Sequence, residues 1–338
     1  MAEKIQHSFS DSLIEALSKQ GRPYSAEDED LHPAVPAVNP AWGETSWWSF
    51  HSPADKTMGW IYLMHRRGMG VMSLGVWIWD DTYEVNEARD LLYSKWSHHV
   101  PLGADDQLSF LRINLPGMQL EVDVIEPLKQ YAIRYRDGDE MNLDLQFRAV
   151  TDVVGCGIDD EKGVGHGDQI LWFTGEMQLQ GKSMSLEGPA FRDRSWSERA
   201  ELPTGQPCMV DFAGNESDFA FTAASMFDSE LNQAVDLGFL MMDGKTTHVV
   251  DAEREFVRYS YGSTKSIRLI MTDDEGRCLE AAGERITTAS LPSWTGIMCW
   301  ITDLEWEAAG RTLYGHNQWG CPASLWRKLR LEKHPFVT

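Results

Sequence analysis

The sequence contains little cysteine: five residues in 338, and none of them forms a Cys-x-x-Cys pair. Such sparse and separated thiols exclude a disulfide framework and a cysteine-based zinc site, and they favour a reducing, cytoplasmic compartment. Uninterrupted runs of about 18 apolar residues, which a membrane-spanning helix needs, are also missing. Residues 1–21 lack the apolar segment of a secretory signal. We therefore expect a cytoplasmic protein without stable membrane insertion.

Positive charge is scarce as well. Lysine and arginine number 30 against 52 aspartate and glutamate residues, which gives a net charge of −22. Nucleic acids and anionic membrane surfaces would repel such a chain, so neither is an expected partner. The length exceeds what one hydrophobic core usually supports and predicts two domains. The oligomeric state stays open, and a homodimer is compatible with the sequence.

Familiar catalytic and cofactor-binding motifs are missing too. The sequence has no Gly-x-Ser-x-Gly elbow, no His-Glu-x-x-His pair and no complete dinucleotide fingerprint. His98 and His99 are adjacent, so on a strand they would point to opposite faces and could not bind one metal ion together. The glycine-rich run 163–167 is typical of a flexible loop. We expect no cofactor and no metal.

Tryptophan, in contrast, is abundant. The 14 residues fall mostly in clusters, among them Trp47 with Trp48 and Trp77 with Trp79. A buried tryptophan needs a partner for its N–H, and aromatic side chains commonly line sites for large apolar ligands. The alternative is that these tryptophans are ordinary core residues of a β-sandwich or barrel.

Alternation of apolar and polar residues with period two dominates most of the chain. In the run 142–149, for example, Leu143, Leu145 and Phe147 alternate with polar residues. Such strands belong to antiparallel sheets with one solvated face, and many hairpins in series favour a closed or sandwiched architecture. We predict an all-β, mainly antiparallel fold with two consecutive domains, residues 41–187 and residues 188–338.

Residues 1–40 precede the sheet region. Leu13 and Leu17 belong to an apolar stripe that predicts a short N-terminal helix ending at Gly21. The acidic, proline-rich run 23–40 is typical of an extended arm rather than a packed element.

The first candidate cluster of polar and aromatic residues is the run 42–51. It places Glu44 and His51 among tryptophans that include Trp48. In such surroundings either group could have a shifted pKa and act as an acid or a base. Alternatively, Glu44 is a capping carboxylate and His51 a surface residue.

The second cluster is the run 192–196. Asp193 lies between Arg192 and Arg194, which should hold its carboxylate ionised, and Trp196 follows. The arginines could bind an anionic or carbonyl group of a substrate. The alternative is an ion-pair network that only stabilises the fold.

The third cluster lies near the C-terminal end. Tyr314 and His316 are two residues apart, so on a strand they share one face, and Trp319 follows. The alternative is a terminal strand with a purely structural role.

At these clusters the chain resembles the two-domain lipocalin-like superfamily that includes carotenoid 1,2-hydratases, kievitone hydratase and AttH-like proteins. The matching segments are Trp42–Trp48, Glu126–Tyr131, Leu143–Phe147, the Gly175–Gly181 hairpin, Arg192–Trp196 and Gly310–Gly315. The resemblance implies two lipocalin-like barrel or half-barrel domains with a hydrophobic ligand site near their interface. It also implies hydration or cyclisation of terpenoid or polyketide-like substrates by a proton donor in an apolar pocket, without a cofactor.

One position departs from the hydratase-type members, which carry histidine where this chain has Arg194. An arginine stays charged and cannot be a general acid near neutral pH. The proton would then come from Glu44, Asp193 or His316, or Arg194 would orient a substrate oxygen while a neighbouring base works.

The leading hypothesis is a cofactor-independent acid–base enzyme, either a hydro-lyase or an isomerase or cyclase. Its substrate would be a hydrophobic terpenoid, steroid or aromatic small molecule. A non-catalytic carrier of a similar ligand is the alternative. The expected catalytic residues are Asp193, Arg194, Glu44 and His316, and the expected substrate-binding residues are Trp48, His51, Trp77, Arg192, Trp196, Tyr314 and Trp319.

Overall fold

The computed structural model describes residues 21–33, 39–103, 105–199, 207–226, 237–259, 262–294 and 296–333. The fold is all-β and mainly antiparallel, with a curled half-barrel sheet followed by a closed barrel, as the alternation predicts. The predicted N-terminal helix lies outside the described residues.

The first sheet has eleven strands. They are β1 (Trp42–Ser52), β2 (Thr57–Arg66), β3 (Val71–Asp80), β5 (Tyr93–Pro101), β6 (Phe110–Leu115), β7 (Met118–Glu126), β8 (Gln130–Asp137), β9 (Met141–Ala149), β10 (Val154–Asp159), β11 (Val164–Leu179) and β12 (Lys182–Glu198). Their order is β5-β3-β2-β1-β12-β11-β9-β8-β7-β6, and β10 pairs with β11. The prediction of a flexible loop at 163–167 was wrong, because residues 164–167 form the beginning of β11.

The second sheet closes on itself. Its strands are β13 (Cys208–Gly214), β14 (Phe219–Met226), β15 (Leu237–Met242), β16 (Lys245–Arg258), β17 (Thr264–Asp273), β18 (Cys278–Trp294), β19 (Ile297–Ala308) and β20 (Arg311–Pro322). Pairing of β17 with β18 closes the barrel, and β4 (Val85–Asn86) adds to β18 in parallel. Helix α1 (Ala323–Leu331) follows β20. No helix among the described residues is long and apolar enough to span a membrane.

Burial along the strands explains their sequence pattern. On β9, Leu143, Leu145 and Phe147 are buried, whereas Asp144 and Gln146 between them are exposed. This strand has one solvated face, as the alternation predicts. On β1, in contrast, all eleven residues are buried. One face of β1 packs inside the first sheet, and the other packs against the barrel.

The expected boundary between residues 187 and 188 lies within β12, which continues in the first sheet to Glu198. The second sheet begins at Cys208. The chain therefore changes sheets between Glu198 and Cys208, after the arginine-rich run rather than before it. The hairpin turn at Gly181 was visible in the sequence, but a turn alone does not show whether the next strand stays in the same sheet.

The prediction of an extended arm was also wrong for residues 23–33. Residues 26–29 form a 3₁₀ turn, and Asp28 and Glu29 are each only 1% exposed. The tyrosine at position 24 packs edge-on against Trp196 of β12. Residues 21–33 therefore form a packed segment inside the first sheet, which we call the inner segment. Arg192 of the sheet compensates Glu29, and Arg22 and His32 of the same segment compensate Asp28, pairings that composition alone does not reveal.

Candidate functional site

The run 192–196 contributes side chains to two opposite faces of β12. Across the β1–β12 pair, Trp48 lies opposite Arg192, and Trp47 lies opposite Asp193. Successive residues of a strand point to opposite faces. Arg192, Arg194 and Trp196 therefore face the inside of the first sheet, while Asp193 faces the barrel.

Arg192 is held by an ion pair with Glu29 of the inner segment, and both side chains are 2% exposed. It also donates a 2.9 Å hydrogen bond from Nη1 to the hydroxyl of Tyr131. Its guanidinium lies 5.0 Å from the ring centroid of Trp48. Arg192 thus fixes the inner segment and is enclosed by it.

Arg194 is fully buried and donates from Nη2 to Oε2 of Glu44 at 3.1 Å and to the carbonyl of Asp30 at 3.0 Å. His32 lies 3.1 Å from the same Glu44 oxygen through Nδ1, and its ring stacks on Trp196 with centroids 3.9 Å apart. Burial alone would raise the pKa of Glu44, but His32 and Arg194 outweigh it, so the pKa is lowered.

These contacts correct several expectations about the site. Glu44 is held ionised and does not offer a raised-pKa acid. Arg192 and Arg194 have protein partners inside the sheet, and Trp48 and Trp196 lie on that same face. The geometry fits the alternative of a network that ties the inner segment to β1 and β12. Trp319 is separate again, because it packs with Trp300 and Trp326 at the end of the barrel.

The two sheets meet through aromatic side chains. Trp47 stacks on the His316 ring with centroids 5.8 Å apart, and Phe212 meets the same ring edge-on at 4.2 Å. Trp60 lies 5.7 Å from Trp47 and 5.5 Å from Trp77. Of the tryptophans expected to bind the substrate, Trp77 lies at this junction, whereas Trp48, Trp196 and Trp319 belong to other clusters.

A buried carboxyl group lies at this junction. Trp79 of β3 donates a 2.7 Å hydrogen bond from its indole nitrogen to Oδ2 of Asp303 on β19. Burial raises the pKa of Asp303 to about 8, although the Trp79 hydrogen bond lowers it. At neutral pH, Asp303 is therefore mainly a protonated acid, which can donate a proton.

Histidines lie beside it. Asp303 and His316 are directly opposite each other on β19 and β20, a pairing that typically separates Cβ atoms by about 5 Å. Burial lowers the pKa of His316 well below its ordinary value, and nearby His51 lowers it further. Burial lowers the pKa of His51 to about 4. Both imidazoles are neutral at pH 7 and can accept a proton.

Two ring nitrogens of these histidines have no hydrogen bond to any part of the chain that the structure describes: Nδ1 of His51 and Nε2 of His316. We call the five residues Trp47, His51, Trp79, Asp303 and His316 the interdomain cluster. Neutral acid and neutral base thus lie side by side among aromatic rings. His51 is buried, so its interpretation as a surface residue was wrong.

Asp193 lies on the barrel-facing side but not between arginines. Its neighbour is His166, whose Nδ1 is 3.8 Å from Oδ2 of Asp193. Burial raises the pKa of Asp193 to about 6, against the lowering influence of His166. The expectation that Arg192 and Arg194 hold it ionised was wrong, because both arginines point to the other face.

Tyr314 and His316 do share a face, as predicted. The Tyr314 ring lies 5.3 Å from that of His51, and its hydroxyl donates to Glu305 at 3.1 Å. Asp303 was missed. The available signal was its place two residues after Ile301 on one strand face, where a short apolar row ends and a row of acids begins.

Comparisons with known proteins agree with this fold. The sequence model of a family described as a domain of unknown function, DUF7064, matches residues 25–322. A search of curated protein sequences gives no match.

Three solved structures are similar. An AttH-like protein from Nitrosomonas europaea has a TM-score of 0.57 at 12% identity, with 83% of this chain and 93% of that chain covered. CghA with Sch210972 gives 0.57 and 12%, covering 83% and 88%. Kievitone hydratase from Nectria haematococca gives 0.54 and 9%, covering 89% and 95%. At such identities the likeness establishes the shared fold.

Proposed function

The chain belongs to the DUF7064 family, and we propose that it is an acid–base enzyme acting on a hydrophobic small molecule at the interdomain cluster. The reaction is hydration or dehydration, or isomerisation or cyclisation. The substrate is of terpenoid, steroid or aromatic type. The observation that carries the proposal is a buried carboxyl group with a pKa of about 8, opposite a neutral histidine and among tryptophan rings.

In this proposal Asp303 is the general acid. The protonated carboxyl gives its proton to a double bond or to a leaving hydroxyl, and the resulting carboxylate keeps the hydrogen bond from Trp79. The electron-rich faces of neighbouring rings stabilise positive charge that develops on the substrate.

His316 is the matching general base. Its lowered pKa keeps the imidazole neutral at pH 7, so it can take a proton from a water molecule or from the substrate. In a hydration, Asp303 gives one proton to carbon while His316 takes one from the attacking water. In an isomerisation or cyclisation, His316 removes a proton from the cationic intermediate, and no water is consumed.

The similar solved proteins support this proposal. One is a hydratase of kievitone, and CghA was crystallised with the small molecule Sch210972. Both share the two-sheet fold in which the present cluster lies. Low identity prevents transfer of individual residues, so the roles above rest on this chain's own geometry.

The experiment is a mass-spectrometric screen of the purified protein against terpenoid alcohols, steroids and enones. A mass shift of one water indicates hydration or dehydration, and an unchanged mass with altered retention indicates isomerisation or cyclisation. Turnover should be lost in Asp303→Asn. It should persist in Asp144→Asn, a matched change at an exposed aspartate of β9.

Two results would overturn the proposal. Turnover that survives in Asp303→Asn at the wild-type rate would exclude Asp303 as the acid. Compounds that bind tightly and are recovered unchanged across the screen would favour the carrier instead.

A further inference from the structure

A second polar group lies on the barrel-facing side of the first sheet. His166 and Asp168 are on β11, and Asp193 is directly opposite Asp168 on β12. Nε2 of His166 is 3.0 Å from Oδ1 of Asp168, and its Nδ1 is 3.8 Å from Oδ2 of Asp193. One ligand atom from each of the three residues lies within 4.8 Å of the others. We call these residues the His–Asp–Asp cluster.

We propose that the His–Asp–Asp cluster binds a divalent transition-metal ion of the Zn²⁺ or Mn²⁺ type. One imidazole nitrogen and two carboxylate oxygens are ligands that such ions accept. Metal–ligand distances of about 2.0 to 2.2 Å require ligand atoms roughly 3 to 3.5 Å apart. The 3.0 Å and 3.8 Å separations involve different nitrogens of His166, and one ion binds only one of them. The imidazole ring and one carboxylate must therefore rotate to bring three ligand atoms, now within 4.8 Å of one another, into this range. This inference goes beyond the proposed function, which uses neither His166 nor Asp168.

Asp168 has a buried carboxylate oxygen that a bound cation would satisfy. Asp168 is only 3% exposed. Its Oδ1 makes no hydrogen bond of acceptable geometry to any described residue, even though His166 is 3.0 Å away. A buried carboxylate oxygen without a hydrogen bond is costly. A metal ion between the side chains would satisfy this oxygen.

The opposing placement of the carboxylates adds a second reason. Asp168 and Asp193 face each other across one strand pair, where like charges directly opposite destabilise the sheet. A cation between them removes that repulsion. Burial lowers the pKa of His166, but Asp168 and Asp193 raise it to about 9, so an imidazolium bridge without a metal is the competing arrangement.

The location gives the metal access to solvent and to the interdomain cluster. His166 is 16% exposed, whereas the two aspartates are more deeply buried. Asp193 accepts a hydrogen bond from Trp47, which also stacks on His316. Three protein ligands leave coordination positions for water or for a substrate oxygen, as in metal sites that are not purely structural. This proposal departs from the sequence-based expectation of no metal, which stays a prediction.

The test is calorimetric titration of the chelator-treated full chain with Zn²⁺ and, separately, with Mn²⁺. We expect one ion per chain, and affinity at least tenfold weaker in Asp168→Asn and in His166→Gln. His248→Gln, a matched change at an exposed histidine of β16, should bind as the wild type does. Absence of one-to-one binding, or equal affinity in His166→Gln, would overturn the proposal.

A measurement on the wild-type protein alone covers the case in which the variants do not fold. Diethyl pyrocarbonate modifies free imidazole nitrogens, and peptide mass spectrometry reports the rate at each histidine. Added Zn²⁺ should slow modification of His166 several-fold and leave His248 unchanged. Equal rates at His166 with and without Zn²⁺ would show that the imidazolium bridge, not a metal, occupies the cluster. Neither result depends on Asp303, so this proposal and the proposed function fail separately.

Discussion

Trp79 donates its indole N–H to Oδ2 of Asp303 at 2.7 Å and so joins the first sheet to the barrel. Both side chains are 1% exposed. The carboxyl group is buried, and two neutral donors, the Trp79 indole and the backbone N–H of Asp303, do not compensate for the lost hydration of its charged form. The pKa of Asp303 therefore rises to about 8.

Asp303 should make the protein less stable as the pH rises. The folded state holds its proton up to about pH 8, whereas the unfolded chain releases it near 3.8. Between these values the folded state binds more protons, so the free energy of unfolding falls with rising pH. The slope from this group approaches about 1.4 kcal/mol per pH unit. Urea unfolding across this window measures it.

Asp303→Asn is the variant for that comparison, because asparagine cannot titrate. The difference in unfolding free energy between wild type and variant should change steadily between the two pKa values and then level off. A difference that is constant across the window would contradict a raised pKa. Asp144→Asn, on the exposed face of β9, should show no such trend.

Trp79→Phe should extend to higher pH the range over which the free energy of unfolding falls. The hydrogen bond from Trp79 favours the ionised form of Asp303, so its removal raises the pKa further above 8. Hydrogen bonds to charged groups contribute about 1.5–3 kcal/mol, which corresponds to a shift of one to two pH units. Trp77→Phe, on the same strand, is the control because Trp77 stacks on Trp96 and packs at a tilt against Trp60. An identical window in both variants would contradict the role given to Trp79.

His316→Asn should reduce turnover by about 10²- to 10⁴-fold, the usual contribution of a general base. Asparagine keeps polarity and approximate size but cannot accept a proton at pH 7. The rate should be measured with whichever substrate the screen identifies. His248→Gln, which changes an exposed histidine, should leave it unaltered. A loss of less than threefold would remove His316 from the reaction.

Glu29→Gln should destabilise the fold strongly. It leaves Arg192 charged and buried without its carboxylate partner, a change that typically costs about 3–5 kcal/mol. Glu27→Gln alters an exposed glutamate of the same turn and should cost less than about 0.5 kcal/mol. Urea unfolding compares the two. Equal midpoints would show that the inner segment contributes little to stability.

His32 should stabilise the protein in its charged form. Burial lowers its pKa, but hydrogen bonds to Asp28 and Glu44 outweigh burial, so the folded-state pKa lies above 6.5. The stabilisation is therefore complete below 6.5 and is lost as the pH rises through the folded-state value. His32→Gln should lose more stability in acid than in alkali. A loss that does not depend on pH would contradict the ion pairs.

The fold class could be predicted from the sequence because the alternation of apolar and polar residues is a local pattern that indicates strands. The pattern of β9 matches its burial residue by residue. The side chains that contact each face of a strand could not be predicted. Arg192 and Asp193 are neighbours in sequence, yet one binds Glu29 inside the sheet and the other lies beside His166. Which face meets the barrel depends on contacts between distant segments.

Asp303, the proposed proton donor, was missed for a related reason. The proton was expected to come from one of the three sequence clusters, at Glu44, Asp193 or His316. Glu44 has a cationic partner, which the sequence does not show, because Arg194 is 150 residues away. Asp303 has no ion-pair partner among the residues that the structure describes, and its burial results from two sheets packing together. No sequence feature near Asp303 indicates that the two sheets pack there.

The most direct test of the central claim is a carbon-13 NMR titration of the aspartate carboxyl groups, with Asp303→Asn to assign the resonance. We predict one carboxyl resonance that titrates near pH 8 in the wild type and is missing from the variant. A resonance of Asp303 that titrates near the ordinary value of 3.8 would mean that the group is ionised at neutral pH. It could then not be the proton donor.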